Sequence, residues 1–145
     1  MIESTVENVQ LTSQSHTIIK TGKANDVITG DNNRLQQVVI NLLNNAIKYS
    51  PSAEKVFITI EQEKDIIKVS VKDTGIGMSR QSLNKIFEKY HRIEEHALHF
   101  QGLGIGLFIS YEIIQRHHGK LWAESEPGKG STFYFTIPLS ITSPQ

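Results

Sequence analysis

The stretch from Leu35 to Tyr49 carries two stripes of helical period on one segment. Leu35, Val38, Val39, Leu42, Leu43 and Ala46 recur at three- and four-residue spacing, the pattern of a helix with one apolar face. Asn41, Asn45 and Lys48 fall at i, i+4 and i+7, so they share a second face. That second stripe lies well away from the centre of the first. The helix therefore packs on one side and presents amides and a cation on the other. Asparagine is a poor helix former, because its amide competes with the backbone for hydrogen bonds, and each one costs about half a kcal/mol relative to alanine. Such a load points to a function. Two glycine clusters follow, Asp73-Thr74-Gly75-Ile76-Gly77 and Gly102-Leu103-Gly104-Ile105-Gly106. Amides and a cation on a rigid helix, facing loops whose backbone can approach closely, describe a site for a phosphorylated ligand and its metal.

The elements around that helix follow from local patterning. Ile2, Val6 and Val9 are spaced as on a short amphipathic helix, so residues 1–15 form an N-terminal helix or connector. Thr17 to Lys20 and Val27 to Thr29 read as a hairpin around Thr21 to Asp26. Asp31 is placed to cap the asparagine-bearing helix, and Pro51 to end it. Lys55 to Ile60 and Ile66 to Lys72 are strands joined by the charged turn Glu61 to Asp65, and Asp73 stands at the end of the second. A short helix is expected over 79–87 with Ser79 as its cap. Residues 90–101 show no clear period and read as a mobile loop. Leu107 to His117 is helical, with Leu107, Ile109, Ile113 and Ile114 packing. Lys120 to Ala123 and Thr132 to Ile137 are strands joined by the turn Pro127 to Gly130. This order predicts one domain over 1–145, an α/β (α+β) two-layer sandwich with helices on one face of a mixed sheet.

Composition narrows the partners. At 145 residues the chain is long enough to bury a real core as one domain. Lys plus Arg and Asp plus Glu number 15 each, so no global positive field points to nucleic acid or an anionic membrane. The absence of cysteine excludes disulfides and thiolate metal sites. No apolar run reaches membrane-spanning length and the start does not resemble a signal peptide, so a cytoplasmic domain is expected, which includes the cytoplasmic part of a membrane receptor.

Two familiar glycine motifs fail. A P-loop needs Ser or Thr after Gly-Lys, where Gly130 follows Lys129. A dinucleotide fingerprint needs its third glycine one residue beyond Gly106 and a strand before it, which residues 90–101 do not supply. The whole pattern is what carries a resemblance. Asn41 to Ser50, Asp73 to Met78, Phe87, Gly102 to Leu107 and Gly128 to Thr132 resemble, in order and spacing, the N, G1, F, G2 and G3 boxes of sensor histidine kinases. The closing stretch Trp122 to Phe133 is also typical of that family, and the resemblance runs from about Thr17 to Pro138. It implies the Bergerat, or GHKL-type, ATP-binding fold, with residues 90–101 as a mobile ATP lid.

The resemblance also implies roles. Asp73 is similar to the family's adenine-reading aspartate; a carboxylate at a strand end suits the exocyclic amine of adenine. Gly75, Ile76 and Gly77 would turn the chain beside the base. Asn45 matches the family's magnesium-binding asparagine, and Asn41, one turn earlier, is a second candidate; a neutral carboxamide oxygen suits Mg2+ where phosphates supply the charge. Lys48 and Tyr49 match positions that contact phosphates. Gly102, Gly104 and Gly106, interleaved with Leu103, Ile105 and Leu107, directly precede a helix, whose free N–H groups and dipole would face phosphates. Leu103 stands where the family commonly has Thr. Arg92 matches a lid cation near the γ-phosphate, Phe87 the F-box aromatic, and Thr132 the G3 threonine near the base, although a strand Thr and a packed Phe need no function.

None of the six histidines lies in the His-Asp/Glu-x-x-x-Pro setting of the family's phosphoacceptor, so the acceptor is expected on another segment. His91, His96 and His99 read as solvated loop residues rather than a metal cluster. His118 occupies a position where the family usually has Gly. The resemblance implies a protein-histidine kinase catalytic domain that binds ATP and Mg2+ and works with a dimerisation domain and a response-regulator receiver. Rival readings are a GHKL-type ATPase or anti-sigma-like serine kinase, and a nucleotide-binding module without phosphoryl transfer. In the hydrolysing relatives the position of Asn41 resembles that of a water-activating glutamate, and an amide cannot take that proton.

Overall fold

The computed structural model describes residues 2–12, 16–22, 32–50, 55–87 and 105–139. Helix α1 (Ile2–Thr12) leads into strand β1 (Thr17–Gly22), followed by α2 (Asn32–Lys48), β2 (Lys55–Glu63) and β3 (Ile66–Asp73). A short α3 (Arg80–Leu83), then α4 (Ile105–Arg116), β4 (Lys120–Glu126) and β5 (Gly130–Pro138) complete the order. The five strands form one sheet in the order β1-β2-β3-β5-β4. β1 pairs with β2 in parallel and every other pair is antiparallel, so the sheet is mixed. A parallel pair needs a long crossover, and α2 lies in it.

α2 forms as its period requires. Leu35, Val38, Val39, Leu42, Leu43 and Ala46 are all buried, against Val56, Ile58, Val69 and Val71 of the central strands. Replacing Leu42 or Leu43 by Ala at such sites costs about 2–5 kcal/mol. α1 and α4 flank α2 on the same sheet face, and Val9, Ile113 and Ile114 close the core from either side. On the other face Trp122 stacks on Tyr134, with ring centroids 5.2 Å apart, and Lys68 Nζ lies 5.1 Å from the Tyr134 ring centre.

Several strands run beyond their apolar centres. The register pairs Glu63 with Ile66, leaving the two-residue turn Lys64-Asp65 in place of the longer expected one. Lys64 adopts φ 42° there. β4 and β5 likewise extend to Glu126 and Gly130, because the ladder pairs polar residues as readily as apolar ones. The helix expected over 79–87 is shorter, a single turn at Arg80–Leu83 and then turns to Phe87. Ser79 does stand at its start, its carbonyl accepting the Leu83 N–H at 2.9 Å. The turn that closes α4 carries His118 at φ 64°, where the His118 N–H reaches Gln115 O and the Gly119 N–H reaches Ile114 O, both at 3.0 Å. That pair of bonds is the Schellman ending, with histidine where glycine is favoured. Val27 to Thr29, Asp31, Pro51 and residues 90–101, where a lid is expected, lie outside the described residues. Among the described residues no helix is long and apolar enough to cross a membrane.

Candidate nucleotide site

β3 delivers its last residue into the core face. Strand alternation puts Val69, Val71 and Asp73 on one side, so a carboxylate is carried to a position only 2% exposed. Asp73 Oδ1 accepts the Gly75 N–H at 2.9 Å, and the backbone N–H of Ser131, its partner on β5, also bonds the carboxylate. Burial pushes the Asp73 carboxyl up to about 6, against the lowering pull of those two N–H groups and of the His16 ring. A buried carboxylate held at that cost suits a ligand that brings a hydrogen-bond donor.

The loop after β3 is clamped from two sides. The Ile76 N–H donates to Tyr49 O at 3.0 Å, and the Gly128 N–H donates to Ile76 O at 2.7 Å. A Cβ on Gly75 would overlap the Tyr49 carbonyl oxygen, so the approach of this loop to the end of α2 requires glycine. Gly77, at φ 70°, faces the Glu126 carbonyl in the same way. The Met78 N–H donates to Ser125 Oγ at 2.8 Å, and Ser125 Oγ donates to Gly130 O at 3.0 Å. With that hydrogen engaged, the 2.8 Å contact between Ser131 and Ser125 has Ser131 as donor.

On α2, Asn41 and Asn45 are half-buried and Lys48 is exposed in the last turn. Asn41 does not simply face outward with its stripe. Its Nδ2 donates to Gly106 O at 3.3 Å and to Ser110 Oγ at 3.2 Å, tying α2 to the first turn of α4. A carbonyl can only accept, so the amide nitrogen must face α4 and the oxygen points elsewhere. α4 thus orients the Asn41 carboxamide, the second candidate for the metal after Asn45. Asn45 lies one turn further along the same stripe, and Tyr49 packs partly into the core.

The fold therefore joins the end of α2, the loop after β3, the β4–β5 hairpin and the start of α4. Gly106 abuts Asn41, with its Cα side 3.7 Å or more from that amide at an added Cβ. Ile105 opens α4 and Leu107 packs against the core. Gly102, Leu103, Gly104 and Arg92 lie outside the described residues, as do His91, His96 and His99. Phe87 stacks on Tyr111 of α4 at 5.5 Å and meets Phe133 of β5 edge-on at 6.2 Å, so it packs three segments together. The Thr132 side chain hydrogen-bonds Tyr134 on the outer sheet face. The hydroxyl beside Asp73 belongs to buried Ser131, since residues one apart on a strand face opposite ways. Alternation with Phe133 and Phe135 carried that signal. Ser110, Ser125 and His16 were also missed, and each meets its partner far along the chain.

Residues 30–141 match the family described as Histidine kinase-, DNA gyrase B-, and HSP90-like ATPase. The chain is 35% identical to the adaptive-response sensory kinase SasA of Thermosynechococcus vestitus, over 96% of its own length and 37% of that protein's. The chain thus spans little more than a third of that relative. The catalytic domain of the histidine kinase ThkA superposes with TM-score 0.76 at 27% identity, covering 97% of this chain and 95% of that one. Full-length ShkA in complex with AMPPNP superposes with TM-score 0.79 at 25% identity, covering 100% of this chain and 32% of that one. A mixed sheet with one helical face, this site and a family match over most of the length lead to one statement: the chain belongs to the histidine kinase-, DNA gyrase B- and HSP90-like ATPase family, in its sensor histidine kinase form.

Proposed function

We propose that this chain is the catalytic domain of a sensor histidine kinase, which binds Mg-ATP and passes the γ-phosphate to a histidine on a separate dimerisation domain. From there the phosphate goes to an aspartate of a response-regulator receiver. The observation that carries this reading is Asp73, a buried carboxylate whose following loop docks on the end of α2, the helix that carries the oriented amide. Asp73 accepts from the adenine amine, and Ser131 rather than Thr132 supports it from β5. Asn45 is the proposed magnesium ligand, with Asn41 as a second, since hard cations take oxygen donors and α4 leaves the Asn41 oxygen for that purpose. The ion supplies charge neutralisation at the phosphates when bound. Lys48, Tyr49 and the N-terminal end of α4 hold phosphate oxygens, and Arg92 serves the lid over 90–101. The domain works by positioning. The acceptor imidazole forms the new P–N bond as the bond from the γ-phosphorus to the β-phosphate oxygen breaks, and ADP leaves.

Hydrolysis is disfavoured by the same geometry. Both hydrogens of the Asn41 amide are directed at α4, and an amide has no basic site to take a proton from water. That ShkA was captured with an ATP analogue on a similar fold supports the nucleotide class. Mixing the domain with labelled ATP and a histidine-bearing dimerisation helix tests the reading. Acid-labile label on the helix is the expected result. Rapid phosphate release with no labelled helix would replace the kinase with an ATPase, and binding without either would leave a regulatory nucleotide module.

A further inference from the structure

Behind the purine-reading carboxylate sits a buried imidazole that the proposed reaction does not use. His16 is 5% exposed at the entry to β1. The backbone around it is gripped by one side chain of α1: Gln10 Nε2 donates to His16 O at 2.7 Å, and Gln10 Oε1 accepts the Ile18 N–H at 2.7 Å. The ring is therefore delivered to a fixed place. Its Nε2 lies 2.7 Å from Ser50 O and 3.3 Å from Ser50 Oγ. A carbonyl oxygen only accepts, so Nε2 carries a hydrogen whatever the state of Nδ1. Ser50 Oγ gives its own hydrogen to Ala46 O at 2.6 Å and so presents a lone pair to the ring.

What Ser50 holds matters more. It follows Tyr49, whose carbonyl receives the Ile76 N–H, and its Cα would be crowded by any side chain on Gly75. Gly75 in turn donates to Asp73. The His16 ring also favours the ionised form of Asp73 through space.

We propose that His16 is a positioning residue of the adenine-reading end of the site, fixing through Ser50 the turn on which Gly75 and Ile76 dock and holding its imidazole within electrostatic reach of the Asp73 carboxylate. This rests on the reading of Asp73 as the adenine partner. The polar groups acting on Asp73 are the N–H groups of Gly75 and Ser131 and the His16 ring, while its β2 neighbour Val56 is apolar. Around His16, α1 presents Gln10 and the end of α2 presents Ser50, and neither titrates.

The test is Mg-ATP affinity from about pH 5 to pH 8.5 for the wild type, His16→Gln, His16→Leu and Asp73→Asn, with a melting curve for each. Wild-type affinity falls as pH drops through about 6, where Asp73 takes up its proton. His16→Gln keeps an N–H for Ser50 O but removes the imidazole. Near pH 8 it binds within about threefold of wild type, while its acid limb moves to higher pH, because a group that lowers the Asp73 pKa is gone. His16→Leu leaves the Ser50 carbonyl without that donor and weakens binding about tenfold near pH 8. A histidine that merely fills the core would change melting temperature and leave the limb in place. An unmoved limb in His16→Gln overturns the proposal, as does wild-type affinity in a folded His16→Leu. Should His16→Leu fail to fold, the limb of His16→Gln decides alone. Equal ATP binding by Asp73→Asn and wild type would overturn the adenine reading itself, and this proposal with it.

Discussion

Asp73→Asn should make the nucleotide-free domain more stable at alkaline pH while removing its response to ATP. The free carboxyl moves from 3.8 to about 6 on folding, chiefly through burial. The folded state thus holds this proton more tightly than the unfolded chain does. Stability from this group is greatest below pH 3.8, falls as pH rises toward 6, and stays low above it. A shift of about two units corresponds to about 3 kcal/mol at 1.36 kcal/mol per unit, all of it a cost near pH 8. Asparagine removes the buried charge and keeps an oxygen for the Gly75 N–H. Its amide nitrogen cannot accept, so the hold on the two backbone N–H groups weakens at a cost of about 1 kcal/mol. The net gain is about 1–2 kcal/mol near pH 8, or about 3–6 °C in Tm for a domain of this size. Near pH 5 the folded wild-type carboxyl is mostly protonated while the unfolded one is still mostly ionised, so about half of that cost remains and the gain shrinks to about 0.5 kcal/mol. Thermal melts of both proteins at the two pH values, without nucleotide and then with saturating Mg-ATP, measure all of this. Ligand should raise the wild-type Tm and leave that of Asp73→Asn nearly unmoved. A variant that is less stable near pH 8, or a difference that does not change with pH, would refute the reasoning.

Other consequences are as direct. Gly75→Ala pushes a methyl into the Tyr49 carbonyl and should destabilise the domain by about 2 kcal/mol or more in denaturant unfolding, with ATP binding lost. His118→Gly relieves a left-handed histidine at the α4 ending, offset in part by a freer unfolded chain, and should raise stability by about 0.5 kcal/mol without touching ATP affinity. Ser131→Ala removes the bond to Ser125 and should cost about 1 kcal/mol and weaken ATP binding several-fold, while Thr132→Ala leaves affinity within about twofold. Equal effects of the last two in a nucleotide titration would contradict the side-chain placement on β5.

How much of this could be seen in the chain depends on how local the cause was. The buried stripe of α2 was fully legible, because six apolar residues at helical spacing determine a face without reference to anything distant. Asp73 at a strand end was legible for the same reason. Strand ends were harder: Gln62 and Glu63 pair with Ile67 and Ile66 because the ladder extends, and nothing in their side chains announces it. The orientation of Asn41 depends on Gly106 and Ser110, which lie 65 and 69 positions away, so its stripe could be recognised but not its partner. His16 looked like a polar residue before a strand, and its contact with Ser50 spans 34 positions. The choice between Ser131 and Thr132 was decidable, since alternation from Phe133 and Phe135 assigns the inner face to Ser131. Resemblance to a box drew attention to the neighbouring residue instead.

Calorimetric titration of the wild type, Asp73→Asn and Asn45→Ala with ATP and GTP, each with and without magnesium, bears most directly on the central claim that one site reads the purine through a carboxylate and the metal through a carboxamide. The expected result is a split: Asp73→Asn loses the preference for ATP over GTP, and Asn45→Ala loses the gain in affinity that magnesium brings. Identical losses in both variants, or a wild type that binds neither nucleotide, would contradict it.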